Sequence, residues 1–216
     1  MSRERSPEPD CQGDRRALEE MLRSPAAGRL IREARDSQVL IRLLPELAPC
    51  LGYRQRTIHH CLTLDEHMFR VLDRAVAQRA SMRVRFAALL HDIGKPGAAY
   101  LGTDGYYHYG GSPDGAIPSH EVVGAEIAGA VLQRLGVGAR EAEEIRTLIR
   151  WHMPRERSEA EVFSLLKRLG PLGPDLCLLR RCDAWGKGID PSPSSLSRLG
   201  LLEALTERPL ALPAAT

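Results

Sequence analysis

Apolar residues recur along this chain at intervals of three and four, the period of a helix that turns one face toward a core. The rows Val123, Ile127, Val131 and Ile145, Leu148, Ile149 show it. Segments of this kind, parted by short Gly/Pro breaks, predict helices over 15–23, 27–35, 37–51, 63–80, 83–93, 119–135, 140–152, 158–169, 174–185 and 195–206. Pro45 kinks or splits the third of these. No convincing strand-like alternation and no repeat of fixed period is present. The pattern predicts an all-α fold, one domain over 15–206. Residues 1–14 carry no apolar face and read as a disordered tail, with 207–216 as a C-terminal tail. One long irregular stretch interrupts the helices, 96–118, with six glycines and three prolines. A loop that long inside a compact domain is usually functional or mobile.

Composition narrows the class. The chain has 216 residues, 43% apolar, with 30 Lys+Arg against 28 Asp+Glu. That length suits one domain, and the charge balance excludes a disordered polyelectrolyte and argues against affinity resting on a large basic surface. Aromatic content of 5% weighs against a base-stacking platform for single strands. The longest apolar run near the middle, Phe86 to Leu90, falls far short of the ~20 residues of a membrane span. No apolar signal segment follows Met1. Five cysteines (11, 50, 61, 177 and 182) form no CxxC pair and no even set, which fits a reducing compartment. Cys177 and Cys182 sit among leucines and read as buried small hydrophobes rather than ligands. The expectation is a soluble, cytoplasmic protein.

The histidines then change the picture. Thr63 and Glu66 spell a capping box, which sets His67 in the first turn of helix 63–80, beside its apolar stripe. His91 closes the row Ala87, Ala88, Leu90, and Asp92 follows just before Gly94. His120 heads the row Val123, Ile127, Val131; His152 ends the row Ile145, Leu148, Ile149; Asp183 ends the row Leu176, Leu179, Arg180. A single histidine on an apolar stripe is more often a hydrogen-bonded core residue. The aspartates are harder to explain, because an unpaired buried carboxylate costs several kcal/mol even after relaxation. Asp92 also lies at a helix C-terminus, where the dipole disfavours negative charge. A divalent cation resolves both difficulties. Inward ligands delivered by separate helices are how bundles build metal sites, and successive candidates stand 24 to 32 residues apart, about one helix plus connector.

His67, then His91-Asp92, then Asp183 resembles the ordered ligand pattern of the HD-domain superfamily of metal-dependent phosphohydrolases. The strings LLHDIGKP (89–96), SHEVVGAEIA (119–128), LIRWHM (148–153) and LLRRCDAWG (178–186) sharpen it, and LLPELAPCLGYRQ (43–55) before HHCLTLDEH (59–67) adds to it. Together they are most similar to the C-terminal HD domain of bacterial CCA-adding tRNA nucleotidyltransferases, over residues 37–186. The nucleotidyltransferase head has no counterpart in this sequence, so a stand-alone HD protein is expected. The stretch between His108 and His120 is longer than that subgroup leads one to expect, and GGSPDGAIPS reads as a specificity loop.

The resemblance implies roles. His67, His91, Asp92 and Asp183 would hold a first metal; His120 and His152 would complete a second site with Asp92 bridging. Mn, Fe, Co, Ni or Zn suits imidazole and carboxylate donors better than Ca. The metal would make a water nucleophilic toward phosphorus, with Asp92 and Lys95 as the catalytic pair and Lys95, with Arg180 or Arg181, on the phosphate. For the arginines a solvated face is the competing reading; for His59 and His60 it is an ordinary loop position against a substrate contact. The implied activity is hydrolysis of a nucleotide, cyclic nucleotide or RNA terminal phosphate. Its small phosphorylated substrate would be nucleotide-like, RNA is a further candidate partner, and no membrane is involved. A di-iron oxygenase with the same ligands and a non-catalytic RNA-binding module are the alternatives.

Overall fold

A computed structural model describes residues 11–57 and 61–207 of the chain. The expected tails fall outside these residues at 1–10 and 208–216, as do His59 and His60. The first helix, α1 (Cys11–Arg23), starts four residues earlier than the apolar pattern predicts. Asp14 lies in its first turn, buried and 3.9 Å from Arg42, where a carboxylate complements the helix dipole. Residues 11–14 are thus part of the fold.

Helices α2 (Ala27–Asp36), α3 (Val39–Leu43), α4 (Leu64–Ala77) and α5 (Met82–Leu90) follow. The predicted helix 37–51 divides at Pro45, and its second half is a 3-10 helix, Pro45–Cys50. Proline removes a backbone donor and clashes with the turn before it, so the helix cannot run through. The expected capping box does not form: Thr63 precedes α4 without a side-chain cap. Glu66 turns instead to Arg32, 2.7 Å from Nη2, because a charge-assisted bidentate pair outweighs a single backbone contact. Ser81 does cap α5 through the Val84 N–H.

The C-terminal half contains α6 (Lys95–Ala98), α7 (His120–Arg134), α8 (Ala139–Trp151), α9 (Glu159–Leu169), α10 (Gly173–Gly186) and α11 (Pro193–Thr206). The fold is all-α apart from a two-stranded hairpin inside the long loop, β1 (Tyr100–Leu101) against β2 (Tyr107–His108), antiparallel with Tyr100 opposite His108. Strands of two residues are too short to show a period, which is why the sequence pattern passes over them.

Helix α4 is the hub, packed against α10, α5 and α2, while α7 pairs with α8 and α5 lies between α8 and α10. One apolar cluster joins them, with Phe69, Phe86, Leu72, Met68 and Leu22 fully enclosed. Arg83 of α5 ties the layer together by pairing with Glu144 of α8 (2.8 Å) and Asp175 of α10. A smaller cluster, Val162, Leu166, Cys177, Leu202 and Leu205, seats α9 and α11 on α10. Cys50, Cys177 and Cys182 are buried as free thiols, and burial pushes the last two up to about 11. Among the described residues no helix is long and apolar enough to cross a membrane.

The turn after α5 meets the start of α7 at Gly94. A Cβ there would lie 2.3 Å from the His120 carbonyl oxygen and 2.4 Å from the Gly124 nitrogen, both backbone atoms that cannot swing aside. Gly94→Ala is therefore expected to destabilise the protein by about 1–3 kcal/mol or more through overpacking. Gly97→Ala, whose added methyl would meet only Val123 Cγ1 at 3.6 Å, should stay within about 0.5 kcal/mol of the parent. Thermal denaturation of the two variants checks the contrast; equal melting temperatures would refute it.

Candidate metal centre

Five elements bring the predicted ligands together. His67 comes from α4, His91 and Asp92 from the turn after α5, His120 from the first position of α7, His152 from the end of α8 and Asp183 from α10. All six are buried. Three of the rings are oriented by backbone carbonyls: His91 Nδ1 lies 3.0 Å from the Ala88 oxygen, His120 Nδ1 2.9 Å from the Tyr109 oxygen, and His152 Nδ1 2.7 Å from the Ile149 oxygen. Ala88 and Ile149 belong to the last turns of α5 and α8, where carbonyls have no regular helical partner four residues on and are open to a side-chain donor. A carbonyl only accepts, so each Nδ1 carries the proton and donates it. Each Nε2 is then left with a lone pair aimed inward, the orientation that metal-binding histidines adopt.

Those lone pairs converge. His67 Nε2 and His91 Nε2 are 3.2 Å apart, and each is 3.2 Å from Asp92 Oδ2. Asp183 Oδ1 joins this set at 3.1 Å from His67 Nε2. On the other side, His120 Nε2 and His152 Nε2 are 3.3 Å apart, at 3.2 and 3.6 Å from Asp92 Oδ1. Two groups of three potential ligands thus share Asp92, one oxygen to each. With both Nδ1 atoms protonated, neutral His120 and His152 have no proton to place between their facing nitrogens. A cation between them removes the repulsion, and the imidazole and carboxylate donors are those of Mn, Fe, Co, Ni or Zn. The residues fit a divalent ion in each group, with open positions left for other ligands.

The local field favours cations too. Burial alone would raise the Asp92 carboxyl, but the neighbouring His91 and the Lys95 ammonium, with the His120 and His152 rings facing it, hold it well below the usual carboxylate range. Asp183 behaves alike: burial opposes ionisation, and Lys187 and His67 override it. For His67, burial is outweighed by its bonds to Asp183 and Asp92, which raise its affinity for a proton. His152 goes the other way, through burial and the neighbouring His120 and His91.

A cavity of about 330 Å³ opens over this centre. Asp92, His120 and Asp183 border it, with Lys95, Arg155 and Lys187 as its cations and Asp104 and residues 106–110 as a wall. Lys95 is buried, its Nζ 2.7 Å from Asp92 Oδ2 and 2.8 Å from Gln55 Oε1. Gln55 gave no signal of its own: it lies inside the string LLPELAPCLGYRQ, but an amide in an extended segment has no periodicity.

The two predicted arginines stand elsewhere. The Arg180 guanidinium is buried and donates to the carbonyls of Trp151, His152 and Met153 and to Glu156. It closes the end of α8 rather than lining the cavity. Arg181 is exposed and pairs with Glu203 at 3.3 Å. Arg155, anchored by the buried Glu121, borders the cavity in their place. His108 borders it as well, paired with Asp104 at 3.0 Å. Of the loop GGSPDGAIPS only Gly110 does so; the lining comes from the residues before it.

The HD domain family matches residues 64–185, more than half the chain and all six of these residues. The chain belongs to the HD domain family. That superfamily is one of metal-dependent phosphohydrolases. The chain is 32% identical to the A-adding tRNA nucleotidyltransferase of Deinococcus radiodurans, over 97% of this chain and 48% of that protein. It is 40% identical to the Multifunctional CCA protein of Azoarcus sp. over 50% of this chain and 24% of the relative. It is 28% identical to the Bifunctional uridylyltransferase/uridylyl-removing enzyme of Cereibacter sphaeroides, over 67% of this chain and 16% of the relative. This HD chain spans about half the length, or less, of these curated relatives.

Elemental analysis should find a transition metal in the purified protein, and Asp183→Ala should lose it from the His67 group. His152→Ala should lower the metal count toward one while the fold remains. Equal metal in all three proteins would refute the ligand assignment. Acid should release the metal as protons compete with it for the imidazoles, so metal content measured after dialysis should fall as the pH is lowered.

Proposed function

We propose that this HD chain hydrolyses the phosphate ester of a nucleotide, a cyclic nucleotide or an RNA terminus. The observation that carries the reading is the placement of Lys95. Its ammonium touches the carboxylate shared by both ligand groups and borders a cavity that reaches them. A divalent ion held by His67, His91, Asp92 and Asp183, or by Asp92, His120 and His152, would supply Lewis acidity and would lower the pKa of a bound water so that hydroxide is available near neutral pH.

The chain's own residues do the rest. The carbonyls of Ala88, Tyr109 and Ile149 fix the imidazoles in one tautomer, so no reorientation is needed during reaction. Lys95 presents charge where phosphoryl oxygens gather negative charge, and Gln55 keeps its long stem from swinging away. Arg155 and Lys187, on the cavity wall, draw an anion inward. Two buried carboxylates against one buried ammonium leave the floor negative without metal, so the substrate's phosphate is welcome only once the cation is in place. The names of the relatives, which speak of tRNA and of uridylyl removal, support a substrate that carries a nucleotide.

Lys95→Ala should keep its metal yet turn over about 10²–10³ times more slowly, the cost of removing one charge-stabilising donor. Arg181→Ala, whose side chain is engaged with Glu203, should match the parent. A screen of nucleotides, cyclic nucleotides and simple phosphate esters with Mn, Co, Ni and Mg supplies the assay. No cleavage with any metal, together with oxygen consumption on reduced iron, would replace this reading by the di-iron oxygenase.

A further inference from the structure

Aromatic residues are scarce in this chain, yet four of its five tyrosines fall between positions 100 and 109. The hairpin gathers three of them, Tyr106, Tyr107 and Tyr109, onto the wall of the cavity above the metal centre. Their settings differ. Tyr109 is buried, its hydroxyl donating to the Gln55 carbonyl at 2.5 Å and its ring 5.5 Å from Lys95 Nζ. Tyr107 has the Arg56 guanidinium 5.7 Å from its ring centre. Tyr106 lies at the mouth with 44% of its surface exposed. The hairpin that holds them is braced: the His108 ring stacks on Tyr100 at 5.5 Å and is tied to Asp104 at 3.0 Å. Tyr106 is therefore an exposed ring on a built support.

From this arrangement we infer that the hairpin is a nucleobase subsite, with the base stacking on Tyr106 at the mouth while the phosphate reaches Lys95 at the floor. The cavity's two ends differ in chemistry as the two ends of a nucleotide do. The floor is cationic once loaded and takes an anion; the mouth offers flat rings, on which any base can stack. A volume of about 330 Å³ lies at the small end of ligand pockets, enough for one nucleotide unit and too little for a duplex. The ligand is therefore a mononucleotide or a single unpaired terminal nucleotide. This inference rests on the phosphohydrolase reading for its phosphate end and on the tyrosines for its base end.

The test separates the two ends. With metal-loaded protein, kcat/KM is measured for adenosine monophosphate and for the ribose phosphate that lacks the base, and their ratio is compared among wild type, Tyr106→Ala and Tyr106→Phe. Separately, adenosine is titrated calorimetrically into the protein with chelator present. Tyr106→Ala should lower the ratio and the adenosine affinity about tenfold, and Tyr106→Phe should restore both, because it keeps the ring. An unchanged adenosine affinity in Tyr106→Ala, or a ratio that does not move, overturns the subsite. Failure of every protein to cleave either phosphate or any cyclic nucleotide or simple ester of the screen overturns the phosphohydrolase reading instead, and the adenosine titration still decides the subsite.

Discussion

The carboxylate of Asp92 is the constraint around which the rest is arranged. It is an anion enclosed by four imidazole rings and one ammonium, at a depth where an unpaired charge would cost several kcal/mol. Holding it there needs five chain segments to arrive within one side chain's reach. The helices are placed accordingly: two of them end beside it, so that their last carbonyls hold the rings, and a third begins beside it. Gly94 is what lets that third helix come close enough, since any side chain at this point would separate the His120 backbone from the turn that carries Asp92. Core packing by Phe69, Phe86 and their neighbours then fixes the segments as a unit.

Arg180 shows how far the support extends from the centre. It contacts neither the cavity nor a candidate ligand side chain, yet it gathers three carbonyls at the end of α8, including that of His152 itself. A positive group at a helix C-terminus is favoured by the dipole, and five donors in a planar fork suit several carbonyls at once. The charge that looks like a phosphate ligand in the sequence is therefore spent on geometry. Arg155, which carries no inward pattern, reaches the cavity because it follows the helix end on an exposed segment and is pinned by Glu121.

These cases mark what a sequence alone can convey. Periodicity identified which faces turn inward, and His91, His120, His152 and Asp183 were legible because each ends or heads such a face. It reports the direction of a side chain within one element and not what that side chain meets from another. Hence Arg180 was correctly read as continuing an inward row but not as a clasp, and Glu66 looked like a cap while Arg32, thirty-four residues away, claims it. The tail boundary shifted because Asp14 is buried through a tertiary partner in α3. The hairpin escaped because two-residue strands have no period, and its tyrosines escaped because an average over the whole chain dilutes a local cluster.

Tyr109 occupies a junction that none of its individual bonds conveys. Its carbonyl oxygen accepts from both the His120 ring and the His120 backbone N–H, at 2.9 and 2.8 Å. Its hydroxyl donates to the backbone of Gln55, the residue whose side chain holds Lys95. One residue at the base of the hairpin thus couples the cavity wall to a ring of one ligand group and, through Gln55, to the ammonium. Displacing the wall disturbs the ring, and drawing the ring toward an ion steadies the wall. A ligand at the mouth and an ion at the floor would therefore bear on the same residue, and any effect of one on the affinity of the other would be reciprocal.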